Sequence, residues 1–162
     1  MSTTPAPGIV WGSYPERTEP APLGRWRLGP RAHQRQVDAA ERALPRWHAL
    51  APRAFAAELT QLRARLGRDG LLPQHMAQAL AATSEAVRRM LGLTLYRTQL
   101  LAAAVILDNR LAEMATGEGK TLAALLAAAT GGLAGMPVHV LTANDHLVAR
   151  DAERLAPGYA LL

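Results

Sequence analysis

The chain contains no cysteine, which excludes disulfides and thiolate metal centres and suits a reducing compartment, with the cytoplasm as the default. Aromatic residues are scarce, 4% of 162 with a single Phe, so a core has to be built from Ala, Leu and Val, a composition that favours helices. No apolar run approaches the about 18 residues of a membrane span; the longest are broken by Asp108, Asn109 and Glu113 or by paired glycines. The first residues offer no basic start followed by an apolar stretch, so no secretory signal is expected. Lysine is almost missing too: of 18 basic residues, Lys120 alone is Lys. Against 13 acidic residues the net charge is +5, which can draw anionic lipid or acidic partners. The bases are scattered and no run exceeds Arg88 and Arg89, so nucleic acid is not the expected partner.

What is present falls into three parts. Residues 1–30 hold most of the prolines, with Trp11, Tyr14 and Trp26 isolated among turn formers, and read as a flexible or loosely docked arm. Residues 31–95 read as a helical lead-in. Its first helix covers Arg31 to Leu50, kinked or ended at Pro45, and its second covers Ala54 to Leu66, with Phe55, Leu59, Leu62 and Leu66 on one face and Gly67 as its stop. A third runs from Gln74 to Leu91 and ends at Gly92. Residues 96–162 read as a partial nucleotide-binding lobe. A short buried helix over Gln99 to Asn109 is followed by a strand over Leu111 to Ala115 and a helix from Lys120 to Thr130 closed by Gly131 and Gly132. A β-branched strand over Val138 to Thr142 then feeds a helix from Asn144 to Leu155. Strand, helix, strand, helix implies an α/β fold with the start of a parallel sheet.

Thr116, Gly117, Glu118, Gly119, Lys120 and Thr121 lie between the first expected strand and the helix after it, where a phosphate-binding loop belongs. The chemistry suits such a loop. Glycines let backbone N–H groups turn toward phosphate oxygens, and the helix N-terminus adds positive potential. Lys120 can bridge the outer phosphates, and the Thr121 hydroxyl can ligate Mg²⁺. The general pattern also wants a glycine where Met114 stands, and a strand-to-helix turn with an incidental Lys is the bland alternative. That the one lysine of the chain falls here, where a compact ammonium is useful, favours the loop. The five histidines show no spacing that presents two metal ligands on one helix face, and His139 is expected to be packed on a buried strand. Ser13 and Ser84 have no context for a nucleophile, so no catalytic residue is assigned.

The run Glu113 to Leu122 resembles the first nucleotide-binding motif of the SecA family, Glu-Met-Arg-Thr-Gly-Glu-Gly-Lys-Thr-Leu, which itself lacks the first glycine. Val138 to Glu153 is similar to that family's next motif, a strand followed by Asn-Asp-Tyr-Leu and Arg-Asp-Ala-Glu, with His146 in place of Tyr. Leu71, Leu72, Pro73, Glu85, Ala86, Arg89, Leu91 and Gly92 resemble the helices that lead into the SecA motor, and Gln99, Leu100 and Leu101 match its glutamine motif. The resemblance covers roughly Leu50 to Leu162. Ala115 stands where the family has Arg, and Ala102 and Ala103 where it has Gly-Gly.

The resemblance implies the first lobe of a RecA-like motor ATPase that couples ATP hydrolysis to moving unfolded preproteins through a membrane channel. It implies ATP and Mg²⁺ as cofactors and a cytoplasmic location, peripheral at the inner membrane face. Gln99 would recognise adenine, with Thr116 to Thr121 on the phosphates and Thr121 on the metal. No Asp-Glu pair closes an apolar strand after Lys120 and no arginine follows Arg154, so the chain by itself is expected to bind nucleotide at best weakly and not to hydrolyse it. A helicase-like, nucleic-acid-dependent ATPase and a non-catalytic interaction module are the alternatives. Against the first, the segment Asn144, Asp145, His146 and Leu147 replaces the Pro-Thr-Arg-Glu-Leu-like sequence of such helicases.

Overall fold

A proline in the first turn of a helix gives up no hydrogen bond, and its fixed φ is already helical. Three helices begin this way: α1 (Pro30–Ala49), α2 (Pro52–Asp69) and α3 (Pro73–Leu91). They are followed by α4 (Arg97–Leu107), α5 (Lys120–Leu133) and α6 (Asp145–Leu161). The computed structural model describes residues 30–142 and 144–162, so the expected arm lies outside the described residues except for Pro30, which opens α1.

Helix α3 is the axis of the fold. Every residue from Ala79 to Val87 is buried, all round the helix rather than along one stripe, as in a core helix. On one side Met76, Ala77 and Leu80 pack with Val37 and Ala40 of α1, Leu100, Ala103 and Ala104 of α4 and Leu126 of α5. On another, Ala79, Ala82 and Ala86 receive Trp47 of α1 and the expected stripe Phe55, Leu59, Leu62 and Leu66 of α2. Val87, Leu125 of α5 and Leu155 of α6 form a third contact. Alanine at the crossings lets the backbones approach, and where α1 and α2 meet two large rings, Trp47 and Phe55, pack edge to face at 5.7 Å.

The polar contacts within this apolar interior include two made by α3. Thr83 of α3 and Thr130 of α5, both fully buried, share a hydroxyl hydrogen bond of 3.2 Å. Glu85, also fully buried, accepts two bonds of 2.8 Å from the Arg88 guanidinium and another from Arg89, and pairs with His48. Arg89 continues to the carbonyls of Trp47 and Leu50, at 3.2 and 2.6 Å, and lies 4.3 Å over the Phe55 ring. One carboxylate thereby fastens the end of α1 to α3. Burial works to raise the Glu85 pKa, but the hydrogen bonds from Arg88 and Arg89 and the charge of His48 prevail and hold it at about 2.

The fold class expected from the sequence is corrected here: the described residues form six helices and no strand, so this is an all-helical fold and not α/β with a parallel sheet. Residues 111–115 and 138–142 form no strand ladder among the described residues. A β-branched run becomes a strand only when a neighbour completes its hydrogen-bond ladder and covers a face. Here Leu111 and Leu141 are 95% and 91% exposed, and His139, expected on a buried strand, is exposed as well. Three local stop signals also yield to packing. α1 continues through Pro45, α2 passes Gly67 to end at Gly70 (φ 77°), and α5 passes Gly131 and Gly132 to a turn at Gly135 (φ 78°). At Gly131 a Cβ would come within 3.1 Å of Val138, so glycine there lets the returning chain lie on the helix. Among the described residues no helix is long and apolar enough to cross a membrane.

Candidate functional site

The site is the connection from α4 to α5. Helix α4 ends as Asn109 takes a left-handed conformation (φ 56°), open to Asn at modest cost. The preceding Asp108 accepts from His33 near the start of α1 at 3.0 Å and from Arg110 at 2.9 Å, which anchors the departing chain. Residues 110–115 then run without regular structure into a turn at Thr116 and Gly117.

Gly117 (φ 88°) and Gly119 (φ 81°) both occupy the left-handed region, where a side chain would be strained. Gly119 is the N-cap of α5, and its carbonyl accepts from Leu122 and Ala123. The N–H groups of Lys120 and Thr121, in the first turn, have no intrahelical carbonyl to meet and point out of the helix end with the positive end of its dipole. Thr116, Gly117, Glu118 and Lys120 are exposed, while Gly119 and Thr121 are half-buried.

Side chains hold this turn to itself. The Lys120 ammonium donates to the Ala115 carbonyl at 2.8 Å, and the Glu118 carboxylate accepts from the Ala115 N–H at 2.9 Å. Gln99, 4% exposed, lies beneath: its Nε2 donates to the Glu118 carbonyl at 3.1 Å and its Oε1 accepts the Tyr96 N–H at 3.0 Å at the start of α4. All the residues expected from the sequence, Gln99 and Thr116 to Thr121, are therefore brought to one place. Sequence reasoning missed Ala115, whose backbone supplies both the donor and the acceptor of the turn. It also missed the bond from Gln99 to the loop, for which the only local sign is a Gln at the third position of a helix, where it can reach back to the N-cap N–H.

A turn of this kind can hold an anion, since it joins the amides of a helix start with one ammonium, on the exposed Lys120, and the hydroxyl-bearing Thr121 next to it. Among the described residues no group of three or more His, Asp or Glu side chains is placed to hold a metal. The second motif, from Val138 to Glu153, enters α6 through Asn144, whose side chain caps the helix by accepting from the Leu147 N–H at 2.9 Å. Asp145 and His146 are exposed in the first turn of α6.

Relatives of this chain are plain. It is 43% identical over 109 residues to the protein translocase subunit SecA of Laribacter hongkongensis, covering 67% of this chain and 12% of that protein. It is 40% identical over 136 residues to the subunit SecA of Gluconobacter oxydans, covering 82% and 14%. With the subunit SecA 2 of Thermobifida fusca it shares 48% identity over 109 residues, covering 65% and 14%. The chain thus spans less than a fifth of the length of these relatives. The SecA DEAD-like domain model matches residues 27–162, and the chain belongs to that family.

Proposed function

We propose that residues 116–121 are a phosphate-binding loop for ATP or ADP with Mg²⁺, and that the chain is the nucleotide-binding portion of a protein-export motor. The observation that carries this is the placement of the only lysine of the chain at the first residue of α5, directly after a left-handed glycine N-cap. The donor set fits the group. The α5 amides and the Lys120 ammonium suit phosphate oxygens, and the Thr121 hydroxyl suits Mg²⁺. Bound ATP would supply the phosphoanhydride whose cleavage drives such a motor. The chain's own residues would bind and orient it, with Gly117 and Gly119 permitting close approach of the backbone. The relatives' role as translocase subunits supports unfolded preproteins and a membrane channel as partners, with anionic lipid as a further contact for the +5 net charge and work at the cytoplasmic face of the membrane.

Titration of the purified chain with fluorescent ADP and Mg²⁺ tests the proposal. Saturable binding by millimolar nucleotide is expected, and its absence would leave an interaction module as the function.

Turnover is not expected from the 162-residue chain itself. The Glu118 carboxylate is engaged with the Ala115 N–H, and the later carboxylates Asp145, Asp151 and Glu153 all lie on α6, where Asp151 is paired with Arg150. Loss of an arginine finger alone slows phosphoryl transfer about a thousandfold or more. Phosphate release should stay at the no-enzyme background; steady release abolished by Lys120→Ala would show a completed site.

A further inference from the structure

Contiguous apolar surface left open to water marks a place where something docks. The described residues leave one such groove, about 800 Å³ in volume, where the α2–α3 junction, the end of α4, α5 and the chain returning from α5 come together. Leu72, Met76 and Ala124 line it, and with them Ile106, Val138 and Leu141, which are 41%, 45% and 91% exposed. That volume is of the size that holds a compact ligand or a few large side chains.

Two observations say what covers it. The first is where the preceding chain joins the fold. His33, in the first turn of α1, bonds to Asp108 at 3.0 Å, and Asp108 lines the groove, so residues 1–29 enter within a helical turn of its rim. Trp26 stands four residues before Pro30 and reaches at most about 14 Å from it. The second is composition. Residues 1–29 carry Trp11 and Trp26, two of the three tryptophans in a chain that is only 4% aromatic, together with Ile9, Val10 and Tyr14. Segments that stay solvated are poor in such residues. These have apolar area to bury, and Pro15, Pro20 and Pro22 between them fix φ and so lessen the entropy lost on docking.

We infer that residues 9–26 of this chain dock in the groove and close it, with Trp26 as the anchor nearest the junction and Trp11 as the second. A segment joined to the protein at the rim meets the groove at an effective concentration on the order of millimolar, far above that of a second copy or a foreign peptide in dilute solution. The docking stands apart from the nucleotide site and does not depend on it.

The lack of cysteine allows a direct test in the full chain. Leu141→Cys places a single thiol in the groove, and Ala57→Cys, in a separate protein, places one on the exposed side of α2 as the reference. Maleimide labelling at position 141 is expected to run about tenfold slower than at position 57, as a docked-to-open ratio of about ten requires. It should recover when Trp11→Ala and Trp26→Ala are added, and it should not change on dilution. Equal rates at the two thiols overturn the inference. Protection that dilution removes assigns the groove to a second copy, and protection that survives both dilution and the paired substitution assigns it to another part of the chain; either result overturns the inference as well. Acrylamide quenching of the unaltered chain is the second measurement and needs no thiol. All three tryptophans are expected to be shielded, as Trp47, 1% exposed, is by the core. Quenching of two of them at the rate of free tryptophan sinks the docking, even where Leu141→Cys fails to fold.

Discussion

Glu85→Ala is expected to cost about 3 kcal/mol of folding stability, near the lower end for breaking one partner out of a buried ion cluster. The carboxylate is fully buried, and its removal leaves the Arg89 guanidinium, only 17% exposed, with two carbonyls and the Phe55 face but no counter-charge. The pKa leads to a similar figure. Descent from 4.5 to about 2 corresponds to about 3 kcal/mol, and somewhat less in effect because Arg88 is 40% exposed and partly screened. The folded value lies below the unfolded one, so this stabilisation is complete above about pH 4.5 and is lost as pH falls toward 2. Urea unfolding of wild type and Glu85→Ala across that window should show a gap that is widest at neutral pH and narrows with acid. Since a domain of this size has about 5–15 kcal/mol in all, the variant is expected to unfold at distinctly lower urea. A constant gap down to pH 2 would contradict the assigned role of the carboxylate charge.

Lys120→Ala is expected to weaken ADP or ATP binding at least tenfold and leave the circular dichroism spectrum intact. The ammonium is exposed and its one described bond, to the Ala115 carbonyl, is on the surface, so the core has no stake in it. Facing phosphate, a charged hydrogen bond is worth about 1.5–3 kcal/mol, or about ten- to a hundredfold in affinity. Arginine is not an equivalent replacement, because its planar fork cannot follow the ammonium into a tight turn. Calorimetric titration of both proteins with ADP and Mg²⁺ reads the difference directly. Equal affinity would remove Lys120 from any phosphate contact.

Helices were legible in the sequence wherever one face carried the pattern. The spacing of Phe55, Leu59, Leu62 and Leu66 marks α2, and Gly92 is the left-handed C-cap that ends α3 as expected. Boundaries failed where a local signal competed with packing. Pro45 removes one backbone bond from α1, but Val37, Ala40 and Trp47 on either side are buried against other helices and hold the helix through it. The strands failed for a different reason, since β structure depends on a neighbouring strand, and the described residues contain none beside 111–115 or 138–142. At the site, the residues of the turn could be named because each has a chemistry of its own. How they are held could not. The bond from Gln99 to Glu118 spans 19 residues, and Ala115 contributes only its backbone, which no side-chain pattern announces.

The hydroxyl pair between Thr83 and Thr130 bears on how the loop is aimed. Leucine and alanine surfaces attract without direction, and two such helices can slide or roll against each other at little cost. A hydrogen bond cannot be slid. The pair pins α5 to α3 at one rung, ten residues and so about 15 Å up the helix from Lys120. A roll of one residue at that rung, about 100°, would swing the opening amides of α5 to another quarter of the surface. The register of two threonines in the interior thus sets the bearing of a lysine at the surface.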